Sequence, residues 1–310
     1  MKRKQPPPSK PAGKRKLSVG ATVAAGLPLL LSMISGGVPS LKPASEGPTQ
    51  PTAASPAGHG FKLGCELPFD SIKTEGLEVD AKCTADGNAG KDETEERLEF
   101  NAKNNFCATG NPRAITYEDF TELQRTADSI DGLRDSLETS RKQLLGIFSP
   151  ANQPKLGEGT LVQYVAFVKD AHNSNVGKGK GERVNCKLTT KEDNDIHIEL
   201  MPNQTEDDPC KSVTAEMSPH FRPETWNELV RLKLERPVRI TGPLFFDNSH
   251  QPCRGEKRPN PKRISVWEIH PVYQFEICKV KPKDPKECDV KTDSQWIALD
   301  QWVTEDKGEP

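Results

Sequence analysis

The 310-residue sequence has few apolar side chains: 33% of its residues are hydrophobic and 6% are aromatic. A globular domain of ordinary composition has roughly 45–50% apolar residues. A chain of this length with so little apolar material cannot fill one large globular domain or two ordinary ones. We therefore expect part of the chain to lie outside any hydrophobic core.

Motifs of common catalytic chemistry are missing as well. The eight cysteines include no Cys-x-x-Cys pair, which excludes a zinc ribbon or a redox dithiol of the usual spacing. No Walker-type loop, Ser-His-Asp set or Cys-His pair stands out. An enzyme is therefore less favoured than a binding or structural protein.

Basic residues are concentrated at the N-terminus, although the whole chain is nearly balanced, with 43 bases and 45 acids. Residues 1–16 hold seven of the bases and no acid, and an uncharged, partly apolar stretch follows at 17–41. A cytoplasmic basic region followed by an apolar one is typical of a signal peptide or a membrane anchor. We predict a secreted protein, periplasmic or extracellular, tethered by a transmembrane helix if the signal stays uncleaved. A disordered basic tail with a chance apolar patch is the alternative.

Cysteine positions agree with export. Residues 42–60 are rich in proline and alanine and predict a disordered linker. An even number of dispersed cysteines follows it, which is typical of disulfide bonds in an exported chain. The disulfide candidates are Cys65, Cys83, Cys107, Cys186, Cys210, Cys253, Cys278 and Cys288. Their spacing leaves the pairing open.

Three regions follow the linker: a polar, disulfide-containing and helical region at 61–150, a β-barrel at 156–282 and a tail at 283–310. Thr116 and Asp119 have the spacing of a capping box, and apolar residues at helical spacing then predict one or two helices over 117–146. Gly132 is the expected break. We expect the apolar stripe of these helices to pack on the barrel rather than on a partner.

The barrel region predicts a mainly β fold. Predicted strands lie at 159–168, 184–190, 195–200, 237–246 and 264–278, with an extra one at 212–217 and a helix at 222–234. This order is that of an OB-like, five- to six-stranded Greek-key barrel with one helix between strands, here preceded by a helical segment and a disordered N-terminus. An antiparallel sandwich is the alternative.

Several runs in this region carry a resemblance. They are GEGTLVQYVAFV, GERVNC, DIHIEL, VTAEMSP, VRITGPLFFDNSH and SVWEIHPVYQFEIC, with KNNFC upstream. Over residues 100–280 the chain resembles a family of uncharacterised exported bacterial proteins with an OB-like domain and a terminal WEIHPV motif. The resemblance implies export and an OB-like domain, and it implies no activity.

Two predicted barrel loops are basic. In OB-folds the loops joining strands one and two and strands four and five flank the binding face, where aromatic rings can stack on a ligand. The binding candidates are Lys178, Lys180, Arg183, Arg254, Lys257, Arg258, Arg263, Trp267 and Tyr273. They predict a binding module for an anionic polymer, an envelope glycan or a protein partner, nucleic acid being less expected in an exported chain. Solvated bases and core rings are the alternative interpretation.

Carboxylates stand beside histidines in the same region: Asp195 near His197, Asp247 near His250, and Glu268 near His270, with Glu216 between them in sequence. Residues i and i+2 share one face of a strand, so Glu268 and His270 point the same way. Such ligands suit zinc, manganese or iron. The metal candidates are His197, His250, Glu268 and His270.

These candidates give the alternative function of a metal-dependent hydrolase with a divalent metal. We otherwise expect no cofactor, and we favour a structural hydrogen-bond network for these side chains. A purely structural, disulfide-stabilised module is the third alternative.

Overall fold

A computed structural model describes residues 78–106, 108, 110–151, 153–174, 180–220, 222–281 and 288–306. The predicted leader, apolar segment and linker lie outside the described residues, as do Cys65, Cys107 and Lys178. Within the described ranges, no helix has the length and apolar character needed to cross a membrane.

Short elements come first in the chain. Strands β1 (Glu78–Asp80) and β2 (Cys83–Thr84) form a two-stranded ribbon, which is followed by helix α1 (Thr94–Lys103). Strand β3 (Arg113–Ile115), helix α2 (Tyr117–Asp128) and the single turn α3 (Leu133–Ser136) come next. The later strands are β4 (Leu161–Asn173), β5 (Ile196–Met201), β6 (Val213–Met217), β7 (Pro237–Phe246), β8 (Trp267–Ile269), β9 (Gln274–Cys278) and β10 (Trp296–Ala298). Helix α4 (Leu299–Asp306) ends the described chain, and 3₁₀ helices lie at Lys142–Leu144, Pro209–Lys211, Glu224–Arg231 and Asp293–Gln295.

Five strands close into a mixed barrel in the order β4-β5-β6-β8-β7, with β7 pairing back onto β4. The β6–β8 pair is parallel and the other four pairs are antiparallel. On one side, β3 adds to β4 in parallel; on the other, β9 and β10 extend the sheet from β7. The predicted mainly β fold is confirmed, and the structure shows a closed five-stranded mixed barrel within it.

Apolar side chains at alternate strand positions fill the barrel interior. In β5, Ile196, Ile198 and Leu200 are fully buried in the main core, because successive side chains of a strand point to opposite faces. Helix α2 contributes to the same core, with the Phe120 ring edge-on to Tyr164 at 5.2 Å between centroids. The prediction that the helical stripe packs on the barrel is confirmed.

The predicted helix signals are also confirmed. The Thr116 hydroxyl accepts from the Asp119 backbone N–H at 3.3 Å, and the Asp119 carboxylate accepts from the Thr116 N–H at 2.8 Å. Gly132 has a φ of 68°, in the left-handed region that glycine adopts at little cost, and it separates α2 from α3.

The predicted strand at 184–190 is wrong. Cys186 and Lys187 have φ values of 55° and 59°, which a strand does not allow. The Asn194 side chain donates to the carbonyls of Leu188 and Thr190, both at 2.7 Å, and so fixes a compact turn. The third barrel strand is instead β6, which the sequence suggests only as an extra one.

Two other predicted elements need correction. The predicted strand 264–278 is divided into β8 and β9, because β7 pairs with β9 through its first half and with β8 through its second half. Between these halves lies Gly242, where a Cβ would come within 2.5 Å of the Pro271 carbonyl oxygen. The predicted helix at 222–234 is the 3₁₀ helix Glu224–Arg231.

Disulfide bonds join Cys83 to Cys186, Cys210 to Cys253 and Cys278 to Cys288. Six of the eight disulfide candidates are thus confirmed. Three disulfides indicate an oxidising environment, as export predicts.

Candidate functional site

A layer of charged side chains, buried or half-buried, lies on the outer face of the barrel and includes the last residue of helix α1. In β5, β6 and β8 the apolar residues fill the interior, so the residues between them face outward. We call the following set the polar layer: Lys103, Glu182, Asp195, His197, Glu216, Glu268 and His270. Its members come from α1, the loop before β5, β5 itself, β6, β8 and the residue after β8.

Helix α1 contributes Lys103 to this layer. Acidic Glu95 and Glu96 in its first turn and Lys103 in its last turn complement the helix dipole. The Lys103 ammonium lies 2.6 Å from Glu216 Oε2 and 3.8 Å from Glu268 Oε1. Burial alone would lower the pKa of Lys103. The two carboxylates have the larger opposite effect and hold this pKa well above its usual value.

His197 joins two carboxylates. Its Nε2 lies 3.1 Å from Glu182 Oε1 and 3.3 Å from Glu216 Oε1. Burial lowers the pKa of His197, yet these two carboxylates outweigh burial and raise it to about 9. For Glu216, burial is likewise outweighed, by His197 and Lys103, and its pKa falls to about 2. His197 is therefore a cation at neutral pH.

Arg263 holds the other side of the layer. Its guanidinium is 1% exposed and donates to Glu268 Oε2 at 2.9 Å and to Asp247. Burial and the nearby Glu216 raise the pKa of Glu268 well above its usual value. His250 reaches this network through Asp247, with 2.7 Å between Nδ1 and Oδ2.

Two groups of three side chains bring potential metal ligands within 4.8 Å of one another. One is Glu182, Asp195 and His197, and the other is Asp195, Glu216 and His270. Of the predicted metal candidates, His197 and His270 each belong to one group. His250 and Glu268 belong to neither, within the part of the chain that the structure describes.

Two members of the polar layer, Lys103 and Glu182, are not among the site residues that the sequence predicts. Lys103 reaches Glu216 across more than a hundred residues, so no local pattern points to it. Glu182 lies beside the predicted basic loop, which is a weak indication of a role. The wrongly predicted strand at 184–190 gives no reason to place Glu182 next to β5.

Most of the predicted basic candidates are paired with acids of this chain. Arg183 contacts Glu93 and Glu96, Arg254 contacts Asp128, and Arg258 contacts Asp208 at 2.7 Å. Lys180 and Lys257 are exposed. Trp267 and Tyr273 are 0% and 8% exposed, so their ring faces are not open for stacking on a ligand.

Glu99, on the layer side of α1, predicts a pH effect. Burial raises its pKa to about 7. The pKa of Glu99 is higher in the folded chain than in the unfolded chain, so folding favours the protonated carboxyl. The contribution of Glu99 to the free energy of unfolding is therefore complete below pH ~4.5, and it is lost as the pH rises through about 7. We expect Glu99→Gln to leave the free energy of unfolding unchanged at pH 4 and to raise it by about 3 kcal/mol at pH 8.

Urea unfolding at several pH values measures this effect. The control is Glu122→Gln, on the exposed face of α2, which should leave the free energy of unfolding almost unchanged at both pH values. An equal effect of Glu99→Gln at pH 4 and pH 8 would contradict the prediction.

Neither protein-family models, nor characterised proteins, nor solved structures give a match to this chain. The resemblance to exported bacterial proteins stays a prediction, and the function has to be proposed from the polar layer and its surroundings.

Proposed function

We propose that this chain is an exported binding module with an OB-like barrel, and that its ligand is a basic segment of a protein partner. The observation that carries the proposal is the position of α1, whose Lys103 lies against Glu216 and Glu268. In this proposal α1 is a resident segment that the partner replaces. The module works in the periplasm or outside the cell, tethered through residues 17–41 if that segment stays uncleaved.

The strand order supports the OB-like assignment. The barrel has five strands, and a single 3₁₀ helix lies between its third and fourth strands in chain order. In OB-folds, ligands bind on the face of strands two and three, between the loops that join strands one and two and strands four and five. The corresponding face here is formed by β5 and β6, and the corresponding loops are 174–195 and 247–266.

Helix α1 contacts both of these loops. Toward the first, its Glu96 pairs with Arg183, and Asn104 after the helix donates to the Val184 carbonyl at 3.2 Å. Toward the second, Glu99 accepts from the Ser249 N–H at 3.2 Å. These contacts support the proposal that α1 occupies the ligand position of an OB-like barrel.

Charge selects among the ligand classes. The covered face holds four carboxylates, from Glu182, Asp195, Glu216 and Glu268, so a ligand that replaces Lys103 has to bring a cation. An anionic polymer or glycan would place negative charge against them, at a cost. Transient interfaces are also more polar than permanent ones, and the charged side chains of the polar layer agree with a transient interface.

The alternatives have less support. A hydrolase needs an open site, but Asp195, Glu216 and His270 are all buried. The anionic-polymer alternative relies on bases that mostly have acidic partners in this chain. A purely structural module predicts that α1 never leaves the barrel.

A peptide-exchange experiment tests the proposal. Lys103→Met keeps an apolar stem but removes the cation, so α1 should open more often. A fluorescent peptide of residues 94–106 should then bind this variant at least tenfold more tightly than it binds the unaltered chain. Fluorescence anisotropy in chelator-containing buffer measures the affinity.

The matched control is Lys142→Met, an exposed lysine away from the layer, which should behave as the unaltered chain. A peptide carrying Lys103→Met should bind neither chain. Absence of peptide binding to the Lys103→Met chain would overturn the proposal in favour of the structural module. Salt-dependent retention on heparin that disappears on Lys257→Glu would favour the anionic-polymer alternative.

A further inference from the structure

Two members of the polar layer lack the partners that buried polar groups need. Asp195 and His270 are each 1% exposed, and neither the carboxylate oxygens nor the ring nitrogens have a hydrogen-bond partner. A buried polar group without a partner costs about 1–3 kcal/mol. A cation bound between Asp195 and His270 would give both side chains the missing partner.

The distances distinguish a metal ion from a shared proton. His270 Nε2 lies 3.5 Å from Asp195 Oδ2 and 3.5 Å from Glu216 Oε2. Hydrogen bonds bring such atoms to ~2.7–3.2 Å. Ligands of a tetrahedral ion with bonds of ~2.0–2.1 Å lie about 3.3–3.4 Å apart, close to the two distances observed.

We propose that Asp195, Glu216 and His270 form a binding site for one divalent transition-metal ion, with zinc as the best match. Imidazole nitrogens and carboxylate oxygens both serve as ligands of zinc. Asp195 directly precedes β5, Glu216 lies in β6 and His270 directly follows β8. The ion would thus join three adjacent strands of the barrel, and its burial assigns it a structural role.

Lys103 competes with the ion. Its ammonium lies 2.6 Å from Glu216 Oε2, the same oxygen that faces His270. Two cations at one oxygen repel each other, so metal binding requires Lys103 to turn away from Glu216. His197 is held by Glu182 and the other oxygen of Glu216, and it stays outside the coordination.

Zinc titration of the intact chain, after removal of metal with a chelator, tests the proposal. Isothermal titration calorimetry should show one ion per chain. Asp195→Asn and His270→Asn should each weaken zinc binding by about 100-fold or more, since each removes a ligand. Lys103→Met should strengthen zinc binding because it removes the competing cation.

The control is His172→Asn, an exposed histidine opposite His197 in the β4–β5 pair, which should bind zinc as the unaltered chain does. A second readout needs no variant: Co²⁺ bound to the unaltered chain should give the intense visible absorption of a tetrahedral site. Absence of stoichiometric metal, or unchanged affinity in Asp195→Asn and His270→Asn, would overturn the site. The peptide exchange is measured with chelator present, so each proposal can fail without the other.

Discussion

Replacing Arg263 with methionine is expected to lower the free energy of unfolding by about 3–5 kcal/mol, as the loss of one partner from a buried ion pair does. Methionine fills much of the same space, so lost packing contributes little. The cost comes from Asp247 and Glu268, which share the buried guanidinium. Both carboxylates would stay buried without the guanidinium that joins them.

Urea unfolding at pH 7 with the disulfides intact gives the measurement. Arg125→Met is the matched control, because Arg125 pairs with Glu122 on the exposed face of α2 and exposed ion pairs contribute little to the free energy of unfolding. Equal losses in the two variants would mean that water reaches the polar layer. The sequence predicts Arg263 as a ligand-binding loop residue; the structure buries its side chain, so a charge reversal there would test folding rather than binding.

Removing the Cys83–Cys186 disulfide by replacing both cysteines with alanine should cost about 4–5 kcal/mol, because this bond closes a loop of 103 residues. It connects the ribbon before α1 to the loop before β5. Without it, α1 loses an anchor, and its amide hydrogens should exchange faster than those of β7.

The matched comparison is removal of the Cys278–Cys288 bond, which spans 10 residues and should cost about 2–3 kcal/mol by the same entropy argument. Chemical unfolding gives the two losses, and hydrogen exchange with mass spectrometry gives the local effect. If both variants left α1 equally protected, the disulfide would have no part in holding the segment.

Local signals in the sequence suffice for part of the fold. The capping box at Thr116 and the alternation in β5 predict their elements because hydrogen bonds and burial there depend on near neighbours. The same logic fails at 184–190, where Val184, Cys186 and Leu188 alternate as in a strand. The disulfide from Cys186 to Cys83 and the hydrogen bonds of the Asn194 side chain, whose partners lie outside this run, fix a turn there instead.

The candidate site is less predictable. Strand alternation explains why Glu216 and Glu268 face outward, but their meeting depends on the parallel β6–β8 register, which rests on the single pair Ala215 and Ile269. A shift of one residue would reverse the faces. The charges of the basic loops are evident from the sequence, whereas the acids that neutralise them come from distant segments.

The described eight-stranded sheet ends in β3 and β10, and each of these strands has only three residues. Partners that bind by adding a strand need a longer row of unpaired backbone N–H and C=O groups than such an edge offers. Short edges of this kind also limit sheet-to-sheet aggregation between copies. Recognition by this protein is therefore expected to use side chains on the barrel face, and a partner need not be extended to bind.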